Sequence, residues 1–351
     1  MAIQEAERGV SILICTYNGS SRLEPTLKAL LEQKNTDNIP WEVVLVDNAS
    51  TDDTVNTAQT IWGNSAIPFQ IISEPNPGRD NALRTGFGKV RYEFVCNVDD
   101  DTWVCHDYVS LVWEIMNEHP DVAVCGGYGT GAFEVDPPAW LKSFETALAI
   151  GRQGTQTGYV EQDRNYLYGA CAVYRKSLWD KLQDINFTFF LSGRKGKKLS
   201  SGEDFELCQA WTMLGYKLWY DERITFRHFM PKGRLTWSYF RKLFKAFGRS
   251  DMIIQQYFVA LGLVPKKKAC IYKSYYLNLL YNMYVLIKWS PGYLYGLLFT
   301  NEGNERILLT ERYAALFSEF LTNKRRFDAV QRALFAQAEK IQAEKNLEKQ
   351  G

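Results

Sequence analysis

The sequence predicts an α/β fold, in which helices flank a doubly wound and mostly parallel sheet. Through the first hundred residues, apolar runs of strand length alternate with segments of helical periodicity. Several of these runs are apolar almost throughout, as strands covered on both faces tend to be. Repeated βα units bring the carboxyl ends of parallel strands to one edge of the sheet, where such folds bind their ligands.

Four strands are predicted in this first part, with helices between them. A helical face with Leu23, Leu27 and Leu30 follows the first strand, and Ser50 or Thr51 caps the helix after the second. The predicted strands are Gly9 to Cys15, Trp41 to Val46, Phe69 to Ser73 and Tyr92 to Val98.

The middle of the chain continues the pattern with less regular segments. One helix is predicted from Tyr108 to Glu118, and another follows Gly202 and ends at Gly215, a residue type common after helices. The glycine-rich run from 127 to 131 lacks the G-x-G-x-x-G spacing of a dinucleotide loop. Further strands are expected over Val122 to Cys125, Leu167 to Arg175, Lys217 to Asp221 and Arg223 to Arg227.

Bulk composition limits the class of protein. The chain has 351 residues, and a hydrophobic content of 46% excludes a disordered protein. A formal net charge of +1 argues against nucleic acid as the main partner, because proteins that bind a phosphate backbone usually carry a basic excess. The seven cysteines are dispersed without a CxxC pair, which indicates reduced thiols. The first nine residues contain no apolar signal sequence, so we expect a cytoplasmic protein, or one peripheral on the inner face of the plasma membrane.

Three consecutive carboxylates, Asp99, Asp100 and Asp101, directly follow the fourth predicted strand. Adjacent carboxylates repel one another, so the cluster is costly unless a cation compensates it. Hard divalent cations prefer carboxylate oxygens, and Mg²⁺ is commonly held by one or two carboxylates together with substrate phosphates. The stretch therefore predicts a metal and a phosphorylated ligand, and the alternative is an acidic loop.

Other polar residues are expected at the same edge of the sheet. Asp47 and Asn48 come just past the second strand, where their alternative role is to cap the next helix. Arg79 and Arg84 stand in a glycine-containing segment, where they are either phosphate contacts or ordinary solvated arginines. These residues would complete a site for a charged ligand around the acidic cluster.

Three stretches at the predicted strand ends are Ile14 to Asn18, Val44 to Asp52 and Asn97 to Asp101. Together they resemble the nucleotide-sugar-binding half of family 2 glycosyltransferases with the GT-A fold. The resemblance implies that the first loop and the residues after the second strand hold the nucleoside. The residues concerned are Thr16, Tyr17, Asn18, Asp47 and Asn48.

At the diphosphate, the resemblance implies that Asp99 and Asp101 bind Mn²⁺ or Mg²⁺. Asp100 is expected to touch the donor or to hold the turn. Arg79 and Arg84 are expected near the pyrophosphate, and Arg84 stands one place away from the position of the family's arginine.

A second acidic motif, Glu203-Asp204, begins a predicted helix that ends at Gly215. The segment resembles the family's E-D motif, which implies Asp204 as the catalytic base and Glu203 as a neighbour that orients it or contacts the acceptor. The alternative is that both carboxylates complement the helix dipole. The resemblance further implies Gly169 beside the donor sugar and His228 as a metal ligand, and a structural role is the alternative for each.

The resemblance implies an inverting glycosyltransferase. Its donor is a nucleotide sugar, by default a UDP-sugar, and its acceptor is a hydroxyl of a glycan or lipid-linked molecule in bacterial surface polysaccharide assembly. A metal-dependent nucleotidyltransferase would be expected to carry a glycine-rich, lysine-containing loop after the first strand, which Thr16 to Gly19 does not supply. The combination of Asp99, Asp101 and Asp204 argues against the other alternative, a non-catalytic nucleotide- or glycan-binding protein.

A helical region is expected after a catalytic domain of residues 1–232, over residues 233–351. Leu235, Tyr239 and Leu243 recur at helical spacing beside basic residues. This pattern predicts either a helix on a membrane surface or an apolar stripe packed on the catalytic domain.

The last hundred residues contain two further segments. The Tyr- and Leu-rich segment 271–299 is interrupted by Lys288 and Pro291, which favours interfacial helices over a spanning helix. The charged segment from 323 onward predicts a helix that mediates self-association as a homo-oligomer or simply frays.

Overall fold

A computed structural model describes residues 6–161, 164–191, 202–299 and 302–348. Its strands are β1 (Glu7–Thr16), β2 (Trp41–Asp47), β3 (Phe69–Ser73), β4 (Tyr92–Asn97), β5 (Thr102–Val104), β6 (Val122–Phe133), β7 (Gly158–Tyr159), β8 (Ala172–Arg175) and β9 (Lys217–Met230). They form one nine-stranded sheet in the order β3-β2-β1-β4-β8-β6-β9-β5, with β7 paired to β9.

The half of the sheet formed by the first four strands is parallel, as the sequence predicts. β1 lies between β2 and β4, and β3 extends the sheet beyond β2. The register sets Thr16 opposite Asp47 and Asp47 opposite Ser73. The carboxyl ends of these strands therefore lie together, so the polar residues that follow them share one edge.

The other half of the sheet is mixed. β8 pairs antiparallel with both β4 and β6, while β9 runs parallel to β6 and antiparallel to β5. In the last pairing, His228 lies opposite Thr102. The return of β9 therefore carries His228 to the stretch that directly follows Asp101.

The helices are α1 (Leu23–Leu31), α2 (Thr54–Trp62), α3 (Arg79–Phe87), α4 (Tyr108–Glu118), α5 (Lys176–Asp184), α6 (Glu203–Met213), α7 (Trp237–Ala260), α8 (Lys266–Lys273), α9 (Tyr275–Phe299), α10 (Glu305–Thr322) and α11 (Lys324–Glu348). The predicted leucine face of α1 is confirmed, because Leu23, Leu27 and Leu30 are all fully buried. Burial of each such side chain contributes about 1.5–3 kcal/mol to folding.

The chain divides into two compact units. The first comprises residues 1–134, 144–186 and 215–230 and contains the whole sheet. The second comprises residues 135–143, 187–214 and 231–351, and it contains α6 and the helices from α7 onward. A division into domains of residues 1–232 and 233–351 stays a prediction.

The glycine-rich run from 127 to 131 is part of β6, which is longer than the predicted strand ending at Cys125. Glycine permits a close approach here, since a Cβ atom on Gly127 would lie 2.3 Å from the Ile224 carbonyl oxygen. On Gly129 it would lie 2.5 Å from the Ala149 carbonyl oxygen. The glycines therefore serve packing within the sheet.

The strand predicted over Leu167 to Arg175 is shorter in the structure, where β8 begins at Ala172. Cys171 adopts a φ of 59°, a left-handed conformation that interrupts an extended chain. Residues 167–171 consequently form an irregular segment, which ends in a turn at residues 170 and 171 before the strand. The two runs predicted around Asp221 are also wrong as separate strands, because β9 continues through them.

A buried arginine joins the end of α4 to the sheet. The Arg175 side chain, at the end of β8, donates to the carbonyl oxygens of Val122, Met116 and His119 at 2.7, 2.7 and 2.9 Å. Burial lowers the pKa of Arg175, against the opposing effect of Glu93. The guanidinium therefore stabilises this corner through hydrogen bonds to three carbonyl oxygens, of which that of His119 also accepts from the Val122 N–H.

We expect Arg175→Met to lower the free energy of unfolding by about 3 kcal/mol, because it removes the donor of three buried hydrogen bonds to carbonyl oxygens. Chemical denaturation followed by circular dichroism measures this difference. The control is Lys28→Met, which removes an exposed ion pair with Glu24 and should leave the free energy of unfolding nearly unchanged. Equal losses in the two variants would contradict the role of Arg175.

Candidate active site

Asp99, Asp101 and His228 converge at the carboxyl end of β4. One potential ligand atom from each lies within 4.8 Å of the others. The backbone N–H of Phe229 donates to the Asp101 carbonyl oxygen at 2.8 Å, which holds β9 against the acidic segment. Asp101 and His228 are both buried. The arrangement gathers two carboxylates and one imidazole around a small volume that could hold a metal ion.

The hydrogen bonds of His228 fix the state of its ring. Nδ1 lies 2.9 Å from the Leu148 carbonyl oxygen, which can only accept, so Nδ1 carries a proton. Nε2 faces Asp101 Oδ1 at 3.4 Å. In the neutral ring Nε2 therefore presents its lone pair to the carboxylates, as a metal-binding histidine does when its other nitrogen donates to a carbonyl. The residues present thus fit a divalent cation.

The two arginines expected at the diphosphate occupy different positions. Arg79 donates to Asp99 Oδ1 at 3.0 Å, and both side chains are partly buried. Arg84 is exposed and donates to Gln183 Oε1 on α5 at 3.4 Å. Five residues of helix separate the two, which turns Arg84 roughly 140° away from Arg79. The structure therefore places Arg79, and not Arg84, on the acidic cluster.

Asp100 makes contacts different from those of its two neighbours. Its carboxylate accepts hydrogen bonds from Thr16 Oγ1 at 2.6 Å and from Arg22 Nη2 at 2.8 Å. Burial raises the pKa of Asp100, with a further contribution from Asp101, while Arg22 and Thr16 oppose the rise. Asp100 therefore holds the loop between β1 and α1 against the end of β4. Arg22 was not among the sequence predictions; the only signal for it was that a third carboxylate needs a cation.

The loop after β1 presents one exposed aromatic side chain. Tyr17 is 48% exposed, whereas the residue before it, Thr16, is buried. Asn18 has a φ of 50°, and its Oδ1 accepts a hydrogen bond from the Thr51 backbone N–H at 2.8 Å. Asn18 therefore joins the loops after β1 and β2, and Tyr17 stands at the surface of the same loop.

The residues after β2 organise the next loop. Asn48 donates to the carbonyl oxygens of Glu74 and Asn76 at 3.1 and 2.8 Å and accepts from the Gly78 N–H at 2.7 Å. These bonds fix the segment that leads into α3 and thereby position its first residue, Arg79. Asp47 is buried, and its Oδ1 accepts from the Ser50 N–H at 3.3 Å.

Gly169 reaches the same edge through Asn97, the last residue of β4. Asn97 Nδ2 donates to the Gly169 carbonyl oxygen at 2.6 Å. The Oδ1 atom of Asn97 is buried and has no hydrogen-bond partner within the part of the chain that the structure describes. Asn97 was not named as a site residue, although its place directly before the acidic cluster was a signal for it.

Glu203 and Asp204 lie in the second unit, at the N-terminal end of α6. Gly202 precedes them with a φ of 112°, a conformation that favours glycine. Asp204 Oδ1 accepts from the Phe205 N–H at 2.8 Å. Negative charge is stabilised at this end of a helix by the helix dipole. Both carboxylates are partly buried, and the backbone contact of Asp204 is compatible with a chemical role.

A third carboxylate of α6, Glu206, anchors this helix. It is fully buried and accepts from the N–H groups of Phe190 and Leu191 at 2.7 and 2.8 Å and from the Tyr257 hydroxyl at 2.6 Å. Burial raises the pKa of Tyr257, and Glu206 adds to the rise. The position of Asp204 therefore depends on a neighbour that the sequence did not single out.

About half of the chain is similar in sequence to known proteins. Residues 11–183 match the model of glycosyl transferase family 2. The chain is 27% identical over 172 residues to poly-beta-1,6-N-acetyl-D-glucosamine synthase of Staphylococcus aureus, covering 48% of this chain and 40% of that protein. The protein of the same name from Staphylococcus epidermidis is 27% identical over 182 residues, or 51% and 42% of the two chains. This chain thus spans about two-fifths of the length of the curated relatives it matches.

A solved structure extends the likeness to the fold. Mannosyltransferase PcManGT from Pyrobaculum calidifontis, in complex with GDP-Man and Mn²⁺, is similar with a TM-score of 0.52 and 17% identity. The match covers 96% of this chain and 89% of that one. With the mixed sheet and its flanking helices, this likeness confirms the predicted fold class. The chain belongs to glycosyltransferase family 2 through residues 11–183, and it has an α/β GT-A fold followed by a helical C-terminal stretch.

Proposed function

We propose that this protein is an inverting, metal-dependent glycosyltransferase that moves a sugar from a nucleotide diphosphate sugar to a hydroxyl group. The observation that carries the proposal is the convergence of Asp99, Asp101 and His228 at the carboxyl end of β4, where the two aspartates lie within the residues that match the family. Two carboxylates and a histidine with a free Nε2 lone pair form a donor set for Mn²⁺, and Mg²⁺ is the alternative.

The donor is proposed to be a UDP-sugar. The curated relatives are named for a polymer of N-acetyl-D-glucosamine, which makes UDP-GlcNAc the first donor to test. PcManGT was solved with GDP-Man, which supplies the contrasting nucleotide. The nucleoside would be held at the ends of β1 and β2, by Thr16, Tyr17 and Asp47 with Asn18 and Asn48 fixing their loops.

Residues around the acidic cluster would hold the rest of the donor. Arg79 lies beside Asp99, and we propose that its guanidinium donates to a diphosphate oxygen of the donor. The unpartnered Oδ1 of Asn97 and the backbone of Gly169 would face the donor sugar. A divalent cation bound by Asp99, Asp101 and His228 would stabilise the negative charge on the departing diphosphate.

The acceptor hydroxyl needs a base. We assign this role to Asp204, whose carboxylate would take the hydroxyl proton as the oxygen attacks the anomeric carbon and the nucleotide diphosphate leaves. A single displacement of this kind inverts the anomeric configuration. Glu203 would orient the base or contact the acceptor, which we propose to be a glycan or lipid-linked molecule of bacterial surface polysaccharide assembly.

The donor assignment predicts metal-dependent binding. In a panel of UDP-GlcNAc, UDP-glucose, UDP-galactose and GDP-mannose, at least one UDP-sugar should raise the melting temperature more with Mn²⁺ than with EDTA, because metal and diphosphate bind together. Isothermal titration calorimetry gives the affinities. Failure of every donor to bind more tightly with Mn²⁺ or Mg²⁺ would reject the proposed function.

Asp101→Asn should weaken Mn²⁺-dependent donor binding by at least about tenfold, because it removes one anionic ligand of the cluster. The affinity for the donor is measured by calorimetry with and without metal. The matched control is Asp184→Asn, which neutralises an exposed carboxylate at the end of α5 and should bind as the original chain does. Unchanged metal dependence in Asp101→Asn would exclude the cluster as the metal site.

Asp204→Asn should leave donor affinity unchanged while lowering the rate of donor consumption by about 10²–10⁴-fold, the usual contribution of a general base. Release of the nucleotide diphosphate is followed with the best donor of the panel, and donor affinity is measured by calorimetry. A parallel loss of donor affinity and melting temperature would assign Asp204 a structural role instead.

A further inference from the structure

Two helical segments of the second unit were candidates for a membrane surface. Among the described residues, only α9 leaves most of its large apolar side chains exposed. α7 buries Phe240 and Leu243, and Arg241 donates to the buried Glu311 of α10 at 2.9 Å. These contacts pack α7 within the second unit, and packing of its apolar stripe on the catalytic domain stays a prediction. α9, in contrast, carries eleven of the fifteen large hydrophobic side chains that are exposed in the described residues.

The polarity of α9 is inverted relative to a helix of a water-soluble protein. Leu280, Ile287 and Leu298 are 54%, 63% and 73% exposed, whereas Asn278 and Asn282 are fully buried. At 3.6 residues per turn the three apolar residues lie on one face, and the asparagines lie roughly 160° away from it. Tyr284, Leu294 and Tyr295 lie on or beside the same exposed stripe.

The inversion is held by specific hydrogen bonds. Asn278 donates to Gln255 Oε1 of α7 at 2.8 Å, and Asn282 donates to Asn278 Oδ1 at 2.8 Å. On the same side, Gly296 packs closely, since a Cβ atom there would lie 3.1 Å from Ile307 Cγ1 of α10. These contacts fix the rotation of α9, so its apolar stripe faces outward.

The charge around the stripe indicates what covers it. Residues 262–299 contain no aspartate or glutamate and carry five lysines. These lysines, all exposed, are Lys266, Lys267, Lys268, Lys273 and Lys288. A second copy of the chain docked through this face would bring lysines against lysines. An anionic surface would instead pair with them.

The properties of α9 favour a helix that lies in the membrane interface over one that spans the bilayer. Within the described ranges, none of the helices combines the length and apolar character needed to cross a membrane. α9 contains Lys288 and Pro291, and tyrosines such as Tyr276 and Tyr284 stand on its exposed side. Aromatic rings with a polar tip are favoured at the boundary between acyl chains and water.

We propose that the outward stripe of α9, with the lysines of α8, binds the surface of an anionic lipid bilayer. The stripe would insert among the acyl chains near the headgroups, while the lysines pair with lipid phosphates. This property goes beyond the proposed function, because it concerns a surface of the second unit and requires neither donor nor metal.

Co-sedimentation of the full-length chain with vesicles tests the proposal. Vesicles of phosphatidylcholine alone are compared with vesicles containing 30% phosphatidylglycerol, and the chain should bind the anionic vesicles at least about tenfold more tightly. Leu280→Glu with Ile287→Glu should reduce this binding at least about tenfold, because charge is placed on the inserted stripe. The matched control is Val135→Glu, a charge introduced at another exposed apolar residue, which should bind as the original chain does.

A second variant tests the charge separately. Lys266→Glu, Lys267→Glu and Lys268→Glu together should abolish the preference for anionic vesicles, and raising the salt concentration should weaken binding by the original chain. Equal binding to neutral and anionic vesicles would overturn the proposal. So would dimers in solution that Leu280→Glu with Ile287→Glu dissociates, in a chain that does not sediment with vesicles.

Unaltered circular dichroism and melting temperatures should accompany each variant, since every substituted side chain is exposed. Donor affinity should also be unchanged in all of them. Loss of vesicle binding with intact donor binding would separate this surface from the proposed active site, and failure of either one leaves the other standing.

Discussion

Three consecutive carboxylates at one strand end repel one another, and the structure directs each of them to a different side chain. Arg79 and Arg22 pair with Asp99 and Asp100 and offset their charge, whereas Asp101 faces the Nε2 atom of His228. The three partners come from α3, from the loop before α1 and from β9. The acidic cluster thus draws together elements far apart in sequence, and the geometry of the site depends on this distribution of charge.

The separation also gives the three aspartates different tasks. Asp100 is turned toward the β1 loop and is buried with Thr16 and Arg22, so it serves the scaffold. Asp99 and Asp101 remain directed toward His228. The three aspartates are adjacent in the sequence but have two different roles in the fold. This difference supports a metal site with two carboxylates.

The sequence predicted the parts of this fold that depend on local pattern. The apolar runs gave the first four strands and their common edge, and the acidic stretch marked that edge as a site. The sequence alone could not predict the roles of Arg22 and Glu206 or the extension of β6 through its glycines, because these depend on partners distant in the chain. Periodicity also could not tell whether α7 or α9 exposes its apolar side chains, because this depends on the buried asparagines, whose hydrogen bonds leave the apolar stripe of α9 facing outward.

Many of the side-chain hydrogen bonds around the site are made to main-chain carbonyl oxygens. Asn48 binds the carbonyl oxygens of Glu74 and Asn76, Asn97 binds that of Gly169, and His228 binds that of Leu148. A carbonyl oxygen is present whatever side chain stands at its position. The receiving positions can therefore vary in sequence while the side chains they orient keep their places. Such tolerance allows the loops of this edge to diverge for new ligands without rebuilding the centre.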